Sequence, residues 1–139
     1  MGAHVLPAEE AVLSEEECCA LLASHTLGRV AFTSGALPVI APIEYVYADG
    51  VITFRTESAL KLRVASHGDV LAFEIDDLDV ATGTGWTVLV LGRATILTTA
   101  ADALPLPTVD TTHSGSPEQH YVRLHCEVVS GRLLTSSPV

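Results

Sequence analysis

Asp49-Gly50 constrains this chain more than any other pair of residues. It is a strong two-residue turn signal, and it stands between two apolar runs, Pro38–Tyr47 and Val51–Arg55. That pattern predicts a hairpin of adjacent antiparallel strands. Short apolar runs recur along the chain: Arg29–Thr33 ahead of a Ser34-Gly35 turn, Val70–Ile75, Trp86–Leu97 with Gly92 as a bulge, and Tyr121–Val129. Ser130-Gly131 then turns into a last short piece, Arg132–Leu134. Pro42 cannot donate to a ladder, so its strand is expected at a sheet edge or bulged there.

Two stretches break the pattern. Ser14-Glu15-Glu16-Glu17 reads as a capping box, and Cys18, Leu21, Leu22 and His25 follow at helical spacing, predicting a helix over about 15–25 that stops near Gly28. Ser58–Ser66 fits a short crossover helix. Asp76–Asp79 and Thr82–Gly85 read as a polar loop, Ala100–Leu104 as one helical turn, and Pro105–Pro117 as a loop. Six short strands with flanking helices imply a mainly β fold, a small β-barrel in one domain over 1–139, with residues 1–12 as an N-terminal arm.

Composition narrows the partners. The formal net charge is −10, which argues against nucleic acid. Apolar residues make up 48% and charged residues 17%, with mean hydropathy +0.40. No apolar run approaches the roughly 20 residues of a membrane span, so the apolar surplus suggests a subunit interface. The strands at Val70–Ile75 and Trp86–Leu97 carry apolar residues on both faces, one for the interior and one for a partner. No signal peptide is apparent, and Cys18, Cys19 and Cys126 are an odd, poorly spaced set. A reduced cytoplasmic chain with the thiols as small buried hydrophobes is expected.

Few residues suggest chemistry. Only seven residues are Lys or Arg, and Arg55, Lys61 and Arg63 fall within one short stretch. With Thr56 and Ser58, Arg55 and Lys61 would cradle a phosphate where strand gives way to helix. The bland reading is a solvated helix face with a Glu57–Lys61 pair. Trp86, the only Trp, would line a planar ligand or serve as a core or interface aromatic. Tyr45 and Tyr47 are expected at an interface more than in a pocket. The six histidines lack metal-ligand spacing, and no G-x-S-x-G elbow or Walker glycine pattern is present.

The order of motifs is itself informative: Leu27-Gly28-Arg29-Val30-Ala31-Phe32, Pro42-Ile43-Glu44-Tyr45-Val46, Phe54-Arg55-Thr56 with Ser58 and Lys61, Val70–Asp76, Thr84–Ala94, and Tyr121–Leu124. Over roughly residues 13–135 this resembles the pyridoxamine 5′-phosphate oxidase-like family of flavin-binding, six-stranded antiparallel split β-barrels. The branch it resembles is that of small actinobacterial and nitroimidazole-resistance-like proteins. The resemblance implies a homodimer with FMN sites at the subunit interface. It implies phosphate contacts from Arg55, Thr56, Ser58 and Lys61, main-chain contacts to the ring from Pro42, Ile43 and Glu44, and an approach by Trp86 and Thr87. Many relatives have Asn where this chain has Glu44, and a carboxylate there disfavours an anionic reduced flavin.

The leading expectation is therefore a cytoplasmic, dimeric FMN-dependent oxidoreductase of unassigned substrate. The alternatives are an F420-dependent reductase on the same fold, a non-catalytic protein binding flavin, haem or a tetrapyrrole, and the fold retained with an empty pocket. For haem, His25, His67 and His120 are the candidate axial ligands. An F420 tail is acidic and would want more basic surface than seven cations provide.

Overall fold

The computed structural model describes residues 12–56, 68–98 and 120–135. The elements are β1 (Val12–Leu13), α1 (Glu15–Ser24), β2 (Leu27–Ser34), β3 (Leu37–Glu44), β4 (Val46–Ala48), β5 (Val51–Thr56), β6 (Val70–Asp79), β7 (Thr84–Thr98), β8 (His120–His125) and β9 (Val128–Leu134). The expected crossover helix at 58–66, and the helical turn and loop at 100–117, lie outside the described residues.

The expected hairpin is present. Ala48 pairs with Val51, and Asp49 and Gly50 both take positive φ, 50° and 75°. That is the combination a two-residue turn of type I′ needs to match strand twist. All pairings are antiparallel, in the order β3-β2-β6-β7-β8-β5-β4, with β9 against β7 and β1 against β9. The sheet curls around one core, including Val30, Ile52, Phe54, Phe73, Ile75, Val88, Val90, Val122 and Leu124. It does not close edge to edge among the described residues. β3 is an edge strand in this order, as Pro42 requires.

Nine described strands replace the six expected: Val12, placed in the expected arm, begins a two-residue strand paired with β9, the run Pro38–Tyr47 divides in two, and the C-terminal piece is a strand of its own. The run Pro38–Tyr47 is interrupted at Tyr45. Its side chain is fully buried, and its hydroxyl donates to the Leu22 carbonyl at 2.8 Å. Tyr45 is thus a core anchor, not an interface residue. Asp76–Asp79 belongs to β6 rather than to a loop, paired with Thr84–Thr87; the cross-strand ladder outweighs the low strand propensity of Asp. The C-terminal break falls at Cys126-Glu127, and Ser130-Gly131 runs inside β9, paired with Val88 and Leu89.

Gly92 is the corner that forces this last change, not a bulge. Its pairing with Leu71 on β6 is in register. On the other side, β7 pairs with β9 up to Leu91 and with β8 from Ala94. The His125 carbonyl turns in against Gly92, where a Cβ would collide with it. The Glu127 amide then reaches the Leu91 carbonyl at 3.1 Å.

α1 follows from its caps. Ser14 Oγ accepts from the Glu17 amide at 3.0 Å, and Glu17 Oε1 accepts from the Ser14 amide at 2.8 Å. The helix stops at Ser24, earlier than Gly28 implied: His25 is extended and Gly28 lies in β2. Side chains satisfy the last carbonyls instead, Tyr45 at Leu22 and Ser24 at Leu21, with His25 Nδ1 2.8 Å from the latter. Cys18 and Leu22 are buried beneath the helix. The three cysteines are free thiols, and burial is the main cause that pushes Cys126 up to about 11. Burial likewise raises Cys18, so these two thiols are held in their neutral, packing form.

Candidate functional site

Strand alternation divides the residues singled out by sequence. On β2, β3, β6 and β7, one face packs into the core and the other points away from it. Pairing carries two cross-strand rows over the outward face. One runs Pro42, Arg29, Glu74, Leu89, Ser130; the next runs Ile40, Ala31, Ala72, Leu91, Val128. Thr87 stands opposite Asp76 and Arg132, and Glu44 opposite Leu27, at the end of the face beyond the first row. Pro42, Glu44 and Thr87 therefore share one end of one face.

Between them lies a charge network that sequence reasoning did not select. Arg29 Nη1 donates to Glu74 Oε1 at 3.1 Å and to Asp76 Oδ2 at 3.2 Å. The Thr87 hydroxyl donates to Glu74 Oε2 at 3.0 Å. Beside this network a cleft of about 150 Å³ is lined by Leu27, Gly28, Arg29, Pro42 and Asp76. The Glu74 carboxyl is raised above the ordinary carboxylate range, chiefly by burial and then by its neighbour Asp76, against the opposing pull of Thr87 and Arg29. The available signal was Glu74 and Asp76, two residues apart on an apolar strand, with one of the few arginines on another strand.

The remaining residues divide between two further places. Ile43 is buried in the core, so only its main chain is available at the surface. Trp86 lies on the other face from Thr87, packed against the core with its ring 5.0 Å from that of His25. Arg55 and Thr56 end β5, paired with Tyr121 and His120. If the β4–β5 register continued, Glu44 would face Arg55 and Ile43 would face Thr56. β3 pairs with β2 instead, so β3 and β5 part at Tyr45 while remaining neighbours. Pro42–Glu44 thus end β3 and Arg55–Thr56 end β5, on two neighbouring strands that do not pair. Ser58 and Lys61 lie outside the described residues. Among the described residues no group of His, Cys, Asp or Glu is arranged to hold a metal, and no helix is long and apolar enough to cross a membrane.

A curled antiparallel sheet that splits at a polar lip defines a small split-barrel protein. The sequence profile of the pyridoxamine 5′-phosphate oxidase family matches residues 14–133, and the chain belongs to that family. It is similar to an FAD-binding protein of Mycobacterium smegmatis, with 31% identity, a TM-score of 0.66, and coverage of 90% of this chain and 98% of that one. A Corynebacterium glutamicum protein described as a pyridoxamine 5′-phosphate oxidase is 28% identical with a TM-score of 0.71, covering 89% and 97%. The Mycobacterium tuberculosis protein Rv0080 is 45% identical over 88 residues, 60% of this chain. The match spans only 58% of that relative's length.

Proposed function

We propose that this protein binds a flavin nucleotide, FMN, at the opening between β3 and β5 and uses it as a dimeric oxidoreductase in the cytoplasm. The observation that carries the reading is that β3 and β5 stay neighbours without pairing, with Pro42–Glu44 at the end of β3 and Arg55–Thr56 at the end of β5. Arg55 would then supply the anion contact, near a strand whose Pro42 lines a cleft. The reading takes Arg55 and Thr56 as phosphate ligands, joined by Ser58 and Lys61, with Pro42, Ile43, Glu44 and Thr87 toward the ring. Trp86 would contribute through its backbone, because its indole faces His25. The flavin would supply hydride or electron transfer, and the protein would bind and orient it.

The cleft is too small to enclose a three-ring heterocycle, so it would take one edge and leave the rest over the outward face. That face is apolar at its other end: Ile40, Leu91 and Val128 lie in one row, 69%, 36% and 54% exposed. A second copy of the chain would cover both the ring and this patch. The relative at 31% identity, named for FAD, favours the dinucleotide as a second reading.

The test separates ring from phosphate. Arg55→Ala should weaken FMN by roughly 10- to 100-fold, the worth of a charge-assisted hydrogen bond, and leave riboflavin, which has no phosphate, unchanged. Equal losses for both ligands would overturn the phosphate assignment. Mass analysis of the flavin released from purified protein distinguishes FMN from FAD.

A further inference from the structure

The hydrogen bonds beside the cleft leave one group with a defined polarity. Thr87 has a single hydroxyl proton, and it is directed to Glu74 Oε2 at 3.0 Å. Toward a ligand, Thr87 then has only lone pairs to offer. Glu74 Oε1 is occupied by Arg29, which also holds Asp76. Two carboxyls therefore share one guanidinium, an arrangement that favours retention of a proton. If that proton sits on Glu74 Oε2, the bond reverses: Glu74 donates, and the Thr87 proton is freed for a ligand acceptor, with the Ile75 carbonyl at 3.5 Å as its more distant protein alternative.

We propose that Thr87, opposite the cleft-lining Asp76, reads the hydrogen-bonding edge of a flat heterocycle seated beside this cleft, and that Glu74 is the positioning residue whose protonation sets whether Thr87 accepts or donates. With Glu74 ionised, Thr87 takes a ring N–H. With Glu74 protonated by solvent, it takes a carbonyl or a bare ring nitrogen. No covalent bond of the ligand changes. The surrounding groups are Arg29 from β2, Asp76 on β6 itself, Thr87 and Leu89 from β7, Arg132 beside Thr87 on β9, and Pro42 and Glu44 from β3. Burial and Asp76 together outweigh Arg29 and Thr87, so Glu74 ionises later than an ordinary glutamate. The ligand class rests on the flavin reading above; the Thr87–Glu74 coupling does not.

The experiment uses the whole chain in two arms. In the ligand-free arm, the Glu74 carboxyl carbon is followed by NMR through a pH titration. Thr87→Val removes a donor that favours ionisation, so the Glu74 midpoint should move up, and Thr87→Ser should restore it. A midpoint unmoved by Thr87→Val overturns the coupling. In the second arm the probe is lumiflavin, the bare ring, and its Kd is measured against pH. The wild type should pass through a step of roughly tenfold, about one hydrogen bond, that Thr87→Ser keeps and that both Glu74→Gln and Thr87→Val flatten. A step that survives in Glu74→Gln overturns the switching role. Absence of lumiflavin binding by the wild type overturns the flavin reading alone, and the ligand-free titration still decides the coupling.

Discussion

Phe73 and Glu74 are neighbours on one strand and face opposite environments. Phe73 is fully buried, its ring edge-on to Tyr45 at 4.8 Å, and a Cβ on Gly28 would run into it. Glu74 points the other way, with its side chain 32% exposed and tied to Arg29 and Thr87. The difference teaches where the chain keeps its stability and where it keeps its chemistry. The inner face is packed carbon with its polar atoms satisfied. The outer face holds the charge network and apolar groups left partly exposed, among them Ile40, Leu91 and Val128. A shift of one residue in register would exchange the two.

The largest test of that contrast is Phe73→Ala. It removes an aromatic ring from the centre of the core and should cost about 3–5 kcal/mol, read by denaturant unfolding. A loss no greater than for a surface substitution would mean that the inner face is not the stabilising one. Tyr45→Phe is gentler and more specific. It keeps the ring against Phe73 but removes the hydroxyl that satisfies the Leu22 carbonyl at the end of α1. A buried acceptor left without its donor should cost about 1–3 kcal/mol. If Tyr45→Phe were neutral, the helix end would have to be satisfied by other groups.

The same two residues mark what was legible in the sequence. Alternation and the Asp49-Gly50 turn suffice for strand existence and for the hairpin, because local residues enforce both. The break at Tyr45 was not legible: within the run it looks like any apolar strand position, and only the distant Leu22 carbonyl and Phe73 ring give it a reason to turn inward. Asp76–Asp79 read as a loop because acidic residues disfavour strands, yet the partner strand from Thr84 and the Arg29 guanidinium hold part of it in the ladder. The order of motifs selected Pro42, Glu44, Arg55 and Thr87, and strand pairing puts the outward side chains of Pro42, Glu44 and Thr87 at one end of one face. Arg29 and Glu74 were not selected, because their roles arise from pairing across β2, β6 and β7 that no local pattern encodes.

The smallest effect is the pH dependence of the outer face. Glu74 is raised above its ordinary value of 4.5 in the folded chain. The folded state therefore binds its proton more tightly than the unfolded state does. The stability linked to that proton is fully present below about pH 4.5, and it is lost as pH rises through the folded value. Glu74→Gln cannot titrate, so other groups cancel when the two proteins are compared at each pH. The wild type should be most favoured relative to Glu74→Gln on the acid side and should lose ground steadily as pH rises toward neutrality. Glu17 supplies the opposite sign within the same molecule: its capping bonds to Ser14 lower it, so its contribution is present above the ordinary value and fades as pH falls. Unfolding free energies of wild type, Glu74→Gln and Glu17→Gln at stepped pH should give two difference curves of opposite slope. Parallel curves would mean that Arg29 dominates Glu74 after all, and that the outer network is an ordinary ion pair.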